Sequence, residues 1–489
     1  MRMFRKNKKD RKDIVKPGRR HIDSNREIGF ITYLFIAIFL VMLGYLGYFT
    51  QVKSKNVINN TYNKRQALLE SRLVRGDILS REGNILATTK SDNDGGYYRN
   101  YPYRNTFAHI VGYSTHGVLG IESMENFTLL TCDANIASRV SNDLAGHKNH
   151  GDNVYTTLNT KMQEAAYDAM DDRRGAVVAM NVKTGEILCV VSKPDFDPNE
   201  VIGRWDRLNA DTGNSPLLNR AFLGSYPPGS TFKIVTALEY LKEHGGNTSD
   251  YGFECKGSFE YKGSVINCFN ETSHGWVNFD DSFAQSCNSS FANISSTLDK
   301  KQFESTIGEL LFNRELPLPF KYSMAYSDIG AGSSTDDLLQ TGIGQGRTTI
   351  SPVHMLMITS AIANDGILMR PYVVSEIQNV DGGTISRTRV REYGRIIEEQ
   401  YTKSLQKMMR QVVVNGTAKR LIDTKGYSIS GKTGSAEYSS NKSLSHAWFT
   451  GFAGADDPEI AVTVIVEGGG SGGAVAAPIA KRVFDAYFN

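Results

Sequence analysis

The chain has no internal repeat at the spacings of solenoid proteins, only one long uncharged apolar run, and little net charge. The first absence excludes a stacked-repeat architecture. The second excludes a bundle of membrane-spanning helices. The net charge is +3, yet residues 1–20 carry ten Lys or Arg against two Asp, so the other 469 residues hold 45 basic and 50 acidic side chains. Nothing after the first twenty residues offers the basic surface that nucleic acid requires. Cysteine is scarce at five in 489 residues, too few for a disulfide-stapled scaffold but enough for one metal site or one bridge.

What is present begins with the run Ile28–Phe49, whose 22 uncharged residues would span about 33 Å as a helix and so cross a bilayer core. No small-residue cleavage site follows it, since the next residues are Thr50-Gln-Val-Lys-Ser-Lys. The basic block before it predicts a cytoplasmic tail and an external remainder. The expected division is a tail at 1–27, an anchor at 28–49, a membrane-proximal region at 50–150 and a main domain at 151–489. Residues Lys53–Leu73 are polar and helix-permissive, and no cluster of catalytic residue types occurs before residue 150.

From Val154 strand and helix patterns alternate densely. A helix is expected at Thr160–Met170, a hairpin at 175–192 with Lys183-Thr-Gly185 as its turn, a buried strand at Ile460–Val466 and a closing helix at Ala477–Phe488. Strands at both ends of one domain with helices between predict a mixed α/β layer. The glycine run Gly468–Gly473 matches a dinucleotide-binding pattern, but neither a later strand nor a ribose-binding acid follows it, so it reads as a strand-to-helix loop.

The most informative stretch is Tyr226-Pro-Pro-Gly-Ser-Thr-Phe-Lys233. Two prolines and a glycine block a helix from extending backwards, and good helix formers follow as far as Gly245-Gly246. Ser230 and Lys233, three apart, share one face of the first turn. A serine hydroxyl needs a neighbour to take its proton, and a lysine in a dry site can do so. The helix N-terminus favours the developing alkoxide. Ser-x-x-Lys recurs at Ser404–Lys407 and Ser439–Lys442, and the further motifs Ser286-Cys-Asn288 and Lys432-Thr-Gly434 have duplicates at Ser54–Asn56, Ser91–Asn93 and Lys183–Gly185. Only the set at 230, 286 and 432 runs in the order nucleophile, polar bridge, edge-strand motif.

In that order the chain resembles the monofunctional class B penicillin-binding proteins. Arg75-Gly-Asp-Ile-Leu-Ser-Arg-Glu-Gly-Asn-Ile-Leu-Ala87, Leu217-Leu-Asn-Arg-Ala221, Thr341–Gly346 and His446–Gly451 resemble further motifs of that family, with Ser80 where the family usually has aspartate. The resemblance implies an antiparallel sheet flanked by helices, a transmembrane helix and a small α+β pedestal. It implies D,D-transpeptidation of peptidoglycan stem peptides through a serine acyl-enzyme, inhibited by β-lactams, with no cofactor required for the chemistry. In the roles it implies, Ser230 attacks with Lys233 as base, and Ser286, held by Lys233 and Lys432, relays a proton to the leaving D-alanine. Asn288 holds the stem backbone, and Thr433, Gly434 and Ser435 form the strand that grips the terminal carboxylate. The N–H groups of Ser230 and Ser435 form the oxyanion hole. Glycan polymerisation would come from a membrane-embedded glycosyltransferase of the shape, elongation, division and sporulation type. The alternatives are a β-lactamase or β-lactam sensor of the same superfamily, and a non-catalytic scaffold that activates the polymerase.

Cys255 and Cys268 flank a short glycine-bearing excursion, His274 follows, and Asp280 and Asp281 come soon after. Two thiolates, an imidazole and one carboxylate, Asp281, suit a tetrahedral zinc site. A Cys255–Cys268 disulfide and free thiols stand beside it as alternatives, and His274-Gly275 also fits the family resemblance alone. Cys132 and Cys189 lie in apolar runs and read as packing residues.

Overall fold

A computed structural model describes residues 20–49, 72–115, 119–422, 424–437 and 445–489. The basic tail before residue 20, and the stretch expected to be helical from Lys53 up to residue 71, lie outside the described residues.

Helix α1, Arg20–Tyr48, forms one unit by itself. Within it Arg26–Tyr48 is 23 residues, long and apolar enough to cross a membrane. Its apolar side chains are exposed all round, Phe30 at 71% and Val41 at 71%, as suits a helix whose solvent is lipid.

Among the described residues the second unit holds two large sheets, of six and five strands, beside four two-stranded ones. The first is built on strands β1 (Ile78–Leu79), β2 (Ile85–Ser91), β3 (Tyr97–Asn100) and β4 (Asn153–Thr156). Ser80 does the work of an aspartate in the β1–β2 turn: its Oγ accepts from Glu82 N at 3.2 Å and Asn84 N at 3.1 Å. Arg75 and Arg99 both end on the fully buried Glu122, with Nε–Oε distances of 2.6 and 2.7 Å, and Tyr101 donates to the same carboxylate at 3.2 Å. Burial pushes the Glu122 carboxyl up, but the two guanidiniums outweigh it and hold it below the ordinary range.

Next come α2 (Thr160–Met170), β5 (Gly175–Asn181) and β6 (Ile187–Lys193). The helix α3 (Lys233–Glu243) is preceded by a tighter turn at Gly229–Phe232, and α4 is Asn288–Thr297. Helix α5, Pro352–Ala363, is buried at all twelve positions, as an apolar helix inside a two-sided core must be. The hairpin β7 (Val374–Gln378) and β8 (Thr384–Arg387) returns to the first sheet, giving the order β8-β7-β4-β1-β2-β3.

The chain closes with β9 (Ser428–Glu437), β10 (Ser445–Gly454), β11 (Ile460–Val466) and α6 (Ala477–Phe488). The second sheet has the order β9-β10-β11-β5-β6 and is antiparallel throughout, so strands from both ends of the domain meet at the β11–β5 ladder. Strand β9, which carries Lys432-Thr-Gly434, is its edge, as expected.

Removing Glu122 leaves two guanidiniums in a dry site without the carboxylate that both of them pair with. Glu122→Gln should lower unfolding free energy by about 3–5 kcal/mol, read as an earlier urea midpoint for the detergent-solubilised chain.

Candidate active site

The turn that carries Ser230 is pinned from four sides. Arg220, itself buried, donates to Glu467 at 2.8 Å, and Tyr226 OH donates to the same carboxylate at 2.8 Å, which fixes the chain entering the prolines. Trp448 Nε1 donates to Pro227 O at 3.1 Å. Gly229 N donates to Gly344 O at 2.8 Å. Gly344 has φ +78°, and a Cβ there would lie 1.9 Å from Gly229 O, so only glycine allows this approach. The sequence landmarks around 217–221, 341–346 and 446–451 thus all converge on one short turn.

Behind Ser230, α3 is buried from Lys233 to Leu241. Lys233 Nζ donates to Ser286 O at 2.6 Å and Asn288 Oδ1 at 2.7 Å, and lies 3.4 Å from Ser286 Oγ. From the edge strand, Lys432 Nζ donates to Ser286 Oγ at 2.7 Å. The rings of Phe291 and Phe283 lie 5.3 and 5.5 Å from the two ammonium groups. Burial pulls the Lys233 ammonium down to about 8, against the partial opposition of Cys287 and Cys268. Burial, then the charge of Lys233, lowers Lys432 well below the ordinary range. Ser286 itself adopts φ +59°, costing on the order of 1–2 kcal/mol for a residue with a side chain.

Ser230, Ser286, Asn288, Thr433, Gly434 and Ser435 line one cavity of about 240 Å³. Thr433 Oγ1 lies 2.5 Å from Thr417 Oγ1, and Ser435 Oγ accepts from Gly472 N at 3.4 Å. The glycine run is the far wall: a Cβ on Gly472 would meet Trp448 O at 2.2 Å and Gly434 O at 2.4 Å. That close packing is the use of this loop.

The excursion folds as two hairpins. Gly252–Cys255 pairs with Gly275–Asn278, and Ser258–Tyr261 pairs with Ser264–Asn267. They bring Cys255, Cys268 and His274 to one point, with Cys287 as the fourth member, all four ligand atoms lying within 4.8 Å of one another. Asp281, expected at that corner from its spacing, is not among the four. It stands in the first turn of the helix Phe279–Ala284, where its N–H donates to Asn278 Oδ1 at 2.8 Å. Cys287 belongs to the Ser-x-Asn motif and lies 13 residues beyond His274. Only the path through that helix brings it back.

The Cys255–Cys268 and Cys268–Cys287 sulfurs are each 3.7 Å apart, and Cys255 Sγ is 3.4 Å from His274 Nδ1. No two of the five cysteine sulfurs lie at disulfide-bonding distance. Hydrogen bonding from Cys287 holds the Cys268 thiol far below its ordinary range, and Cys287 is pushed up in return. Ser289 N and Ser290 N donate to the Cys268 and Cys287 sulfurs at 3.4 Å. Cys132 and Cys189 are buried outside this cluster.

The lysine geometry has a direct readout. In NMR of lysine-labelled protein, the Lys233 amine should titrate near pH 8, where an exposed lysine does so at about 10.4. The assigned signal should vanish in Lys233→Met.

Known proteins share this layout. A family model described as the penicillin binding protein transpeptidase domain matches residues 175–485, and one described as the penicillin binding protein A dimerisation domain matches residues 75–154. Peptidoglycan D,D-transpeptidase PbpA of Mycolicibacterium smegmatis is 31% identical over 452 residues, covering 87% of this chain and 91% of that protein. The ceftriaxone acyl-enzyme complex of penicillin-binding protein A from M. tuberculosis superposes with a TM-score of 0.78 at 30% identity, covering 86% of this chain and 100% of that one. The penicillin G acyl-enzyme complex of the same protein superposes with a TM-score of 0.76 at 29% identity, covering 85% and 100%. Two matched regions in the family's order and a relative aligned along nearly its whole length lead to one conclusion: the chain belongs to the class B penicillin-binding proteins.

Proposed function

We propose that this protein is a peptidoglycan D,D-transpeptidase that cross-links stem peptides through an acyl-enzyme on Ser230. The observation that carries the reading is the convergence of two buried lysines on one hydroxyl, Ser286 Oγ, at the floor of the cavity that Ser230 lines. Two ammonium groups so close and so dry cannot both stay charged, so one amine is available as a base near neutral pH. In the acylation step Lys233 takes the Ser230 proton as Oγ bonds to the carbonyl carbon of the penultimate D-alanine. The N–H groups of Ser230 and Ser435 stabilise the oxyanion, each donor worth about 3–4 kcal/mol. Ser286 passes a proton from the lysines to the departing D-alanine nitrogen. Asn288 holds the stem backbone, and Thr433, Gly434 and Ser435, backed by Lys432, hold the carboxylate. An amine of a second stem then attacks the ester carbonyl, forming the amide cross-link and restoring Ser230.

The basic block before α1 orients the anchor with its N-terminus in the cytoplasm and residues from about 50 onward outside. That outer part divides into a pedestal at 50–150 and a transpeptidase domain at 151–489. The partner that supplies glycan strands is a membrane-embedded glycosyltransferase of the shape, elongation, division and sporulation type.

The decisive test is a fluorescent penicillin. The wild-type chain should form a slowly hydrolysed covalent adduct on Ser230, and Ser230→Ala should abolish it while the thermal transition stays in place. Fast turnover of the penicillin would instead indicate a β-lactamase, and no adduct at all a scaffold.

The four-residue cluster fits a structural zinc ion. Zinc–sulfur bonds of about 2.3 Å at tetrahedral angles put two sulfurs about 3.8 Å apart, and the observed 3.7 Å separations match that rather than a disulfide. Cys255, Cys268, His274 and Cys287 would hold the ion, which would supply cohesion to the segment presenting Ser286 and Asn288. Protein purified without added metal should carry about one equivalent of zinc by elemental analysis, a stoichiometry set by one closed four-ligand site. Cys255→Ser should reduce it and lower the melting temperature. A preparation free of zinc, with Cys255 and Cys268 disulfide-bonded or freely alkylated, would overturn the metal reading.

A further inference from the structure

The residues described as lining the active cavity include one carboxylate, Glu437. It is the last residue of β9 and lies two positions beyond Ser435 and four beyond Thr433. Strand side chains repeat every second residue, so these three share one face of β9. The cavity is therefore electrically polarised, with two buried lysines behind its middle and an acid at one end of its strand.

The main chain at Glu437 is already engaged. The Gln345 side-chain amide donates to Glu437 O at 3.2 Å and accepts from Glu437 N at 3.1 Å. Gln345 thus closes the open edge of β9 at this residue. A peptide lying along the edge can pair with main chain nearer Ser435, but what Glu437 has left to offer is its carboxylate.

Resting on the acyl-enzyme reading, the direction of a bound donor follows. Its terminal carboxylate lies at Lys432 and Thr433, and its scissile carbonyl at the N–H of Ser435. An extended donor then runs antiparallel to β9, and the residues preceding the scissile bond pass toward Glu437. Two strand residues advance about 6.6–6.8 Å, roughly the distance that separates one donor residue from the side chain of its neighbour. Cross-linking consumes an amine on one stem, so every stem, including the donor, carries such an amine.

We propose that Glu437 is a specificity-determining residue that pairs with the side-chain ammonium of the donor stem's amine-bearing residue. The carboxylate selects donors whose amine is still free and cationic over donors whose amine is already capped as an amide. It acts in binding and orientation, with no part in the bond-making steps. An incoming strand is thereby used as donor before its own amine is consumed.

The experiment uses the full chain in detergent and two synthetic peptides ending in D-alanyl-D-alanine. They are identical except that the side-chain amine is free in one and N-acetylated in the other. D-alanine release gives kcat/KM for each, and the readout is their ratio. Wild type should favour the free amine, and Glu437→Gln should lower the ratio about tenfold, the factor that corresponds to about 1.4 kcal/mol. Glu437→Asp should keep most of the preference, and Glu437→Lys should invert it. The wild-type preference should shrink with added salt, because a partly exposed ion pair is screened over about 10 Å at 0.1 M. The change should appear in KM rather than kcat. Two substrates that lose rate in parallel, leaving the ratio unchanged, would mean that Glu437 only supports the strand and would overturn the proposal. A wild-type chain that releases D-alanine from neither peptide would overturn the acyl-enzyme reading along with it.

Discussion

The desolvation of two lysine ammonium groups is the constraint on which the site depends. Lys233 from α3 and Lys432 from β9 are both fully buried, and both reach Ser286 Oγ. Placing an unpaired ammonium in a dry interior costs several kcal/mol, and two side by side cost more. The protein accepts that cost where it lowers the charge of a base without removing the base. The supports are local and specific: Ser286 O and Asn288 Oδ1 accept from Lys233, and the faces of Phe291 and Phe283 lie near the two cations.

Ser286 meets both lysines only because its backbone is held in the left-handed region, and that strain needs a firm setting. Cys287, the next residue, provides it from one side by capping α4 through its sulfur and joining the cluster with Cys255, Cys268 and His274. The two hairpins of the excursion have little core of their own, and their strands are largely exposed. A zinc ion held by these four residues, as proposed, would give such a segment the rigidity that apolar burial cannot. The same cluster therefore ties a small excursion to the residue that bridges the lysines.

The pedestal has a similar economy. Its sheet is completed by β7 and β8, which arrive from more than two hundred residues later in the chain. The Arg75–Glu122–Arg99 group takes Arg99 from β3 of this sheet and has its carboxylate wholly excluded from water. A buried triad of this kind contributes less to stability than its short distances suggest, but breaking it is costly. It specifies how the turn after Arg75 meets the helix at Gly120–Met124.

By itself the sequence determined the local elements and the order of the motifs. The helices at Thr160–Met170 and Ala477–Phe488, the hairpin turn at Lys183–Gly185 and the strand at Ile460–Val466 follow from periodicity and turn chemistry, which are properties of neighbours. Ser230, Ser286 and Lys432 could be chosen over their duplicates because motif order survives without coordinates. Tertiary structure alone decided what depends on distance across the fold. The fourth member of the cysteine cluster is Cys287 and not Asp281, because the helix at Phe279–Ala284 turns Asp281 into its first turn and returns Cys287 to the hairpins. The strain at Ser286 and the carboxylate of Glu437 at the end of the cavity likewise have no signature in residue spacing. Burial, dihedral angle and the meeting of remote strands arise only when the whole chain has packed.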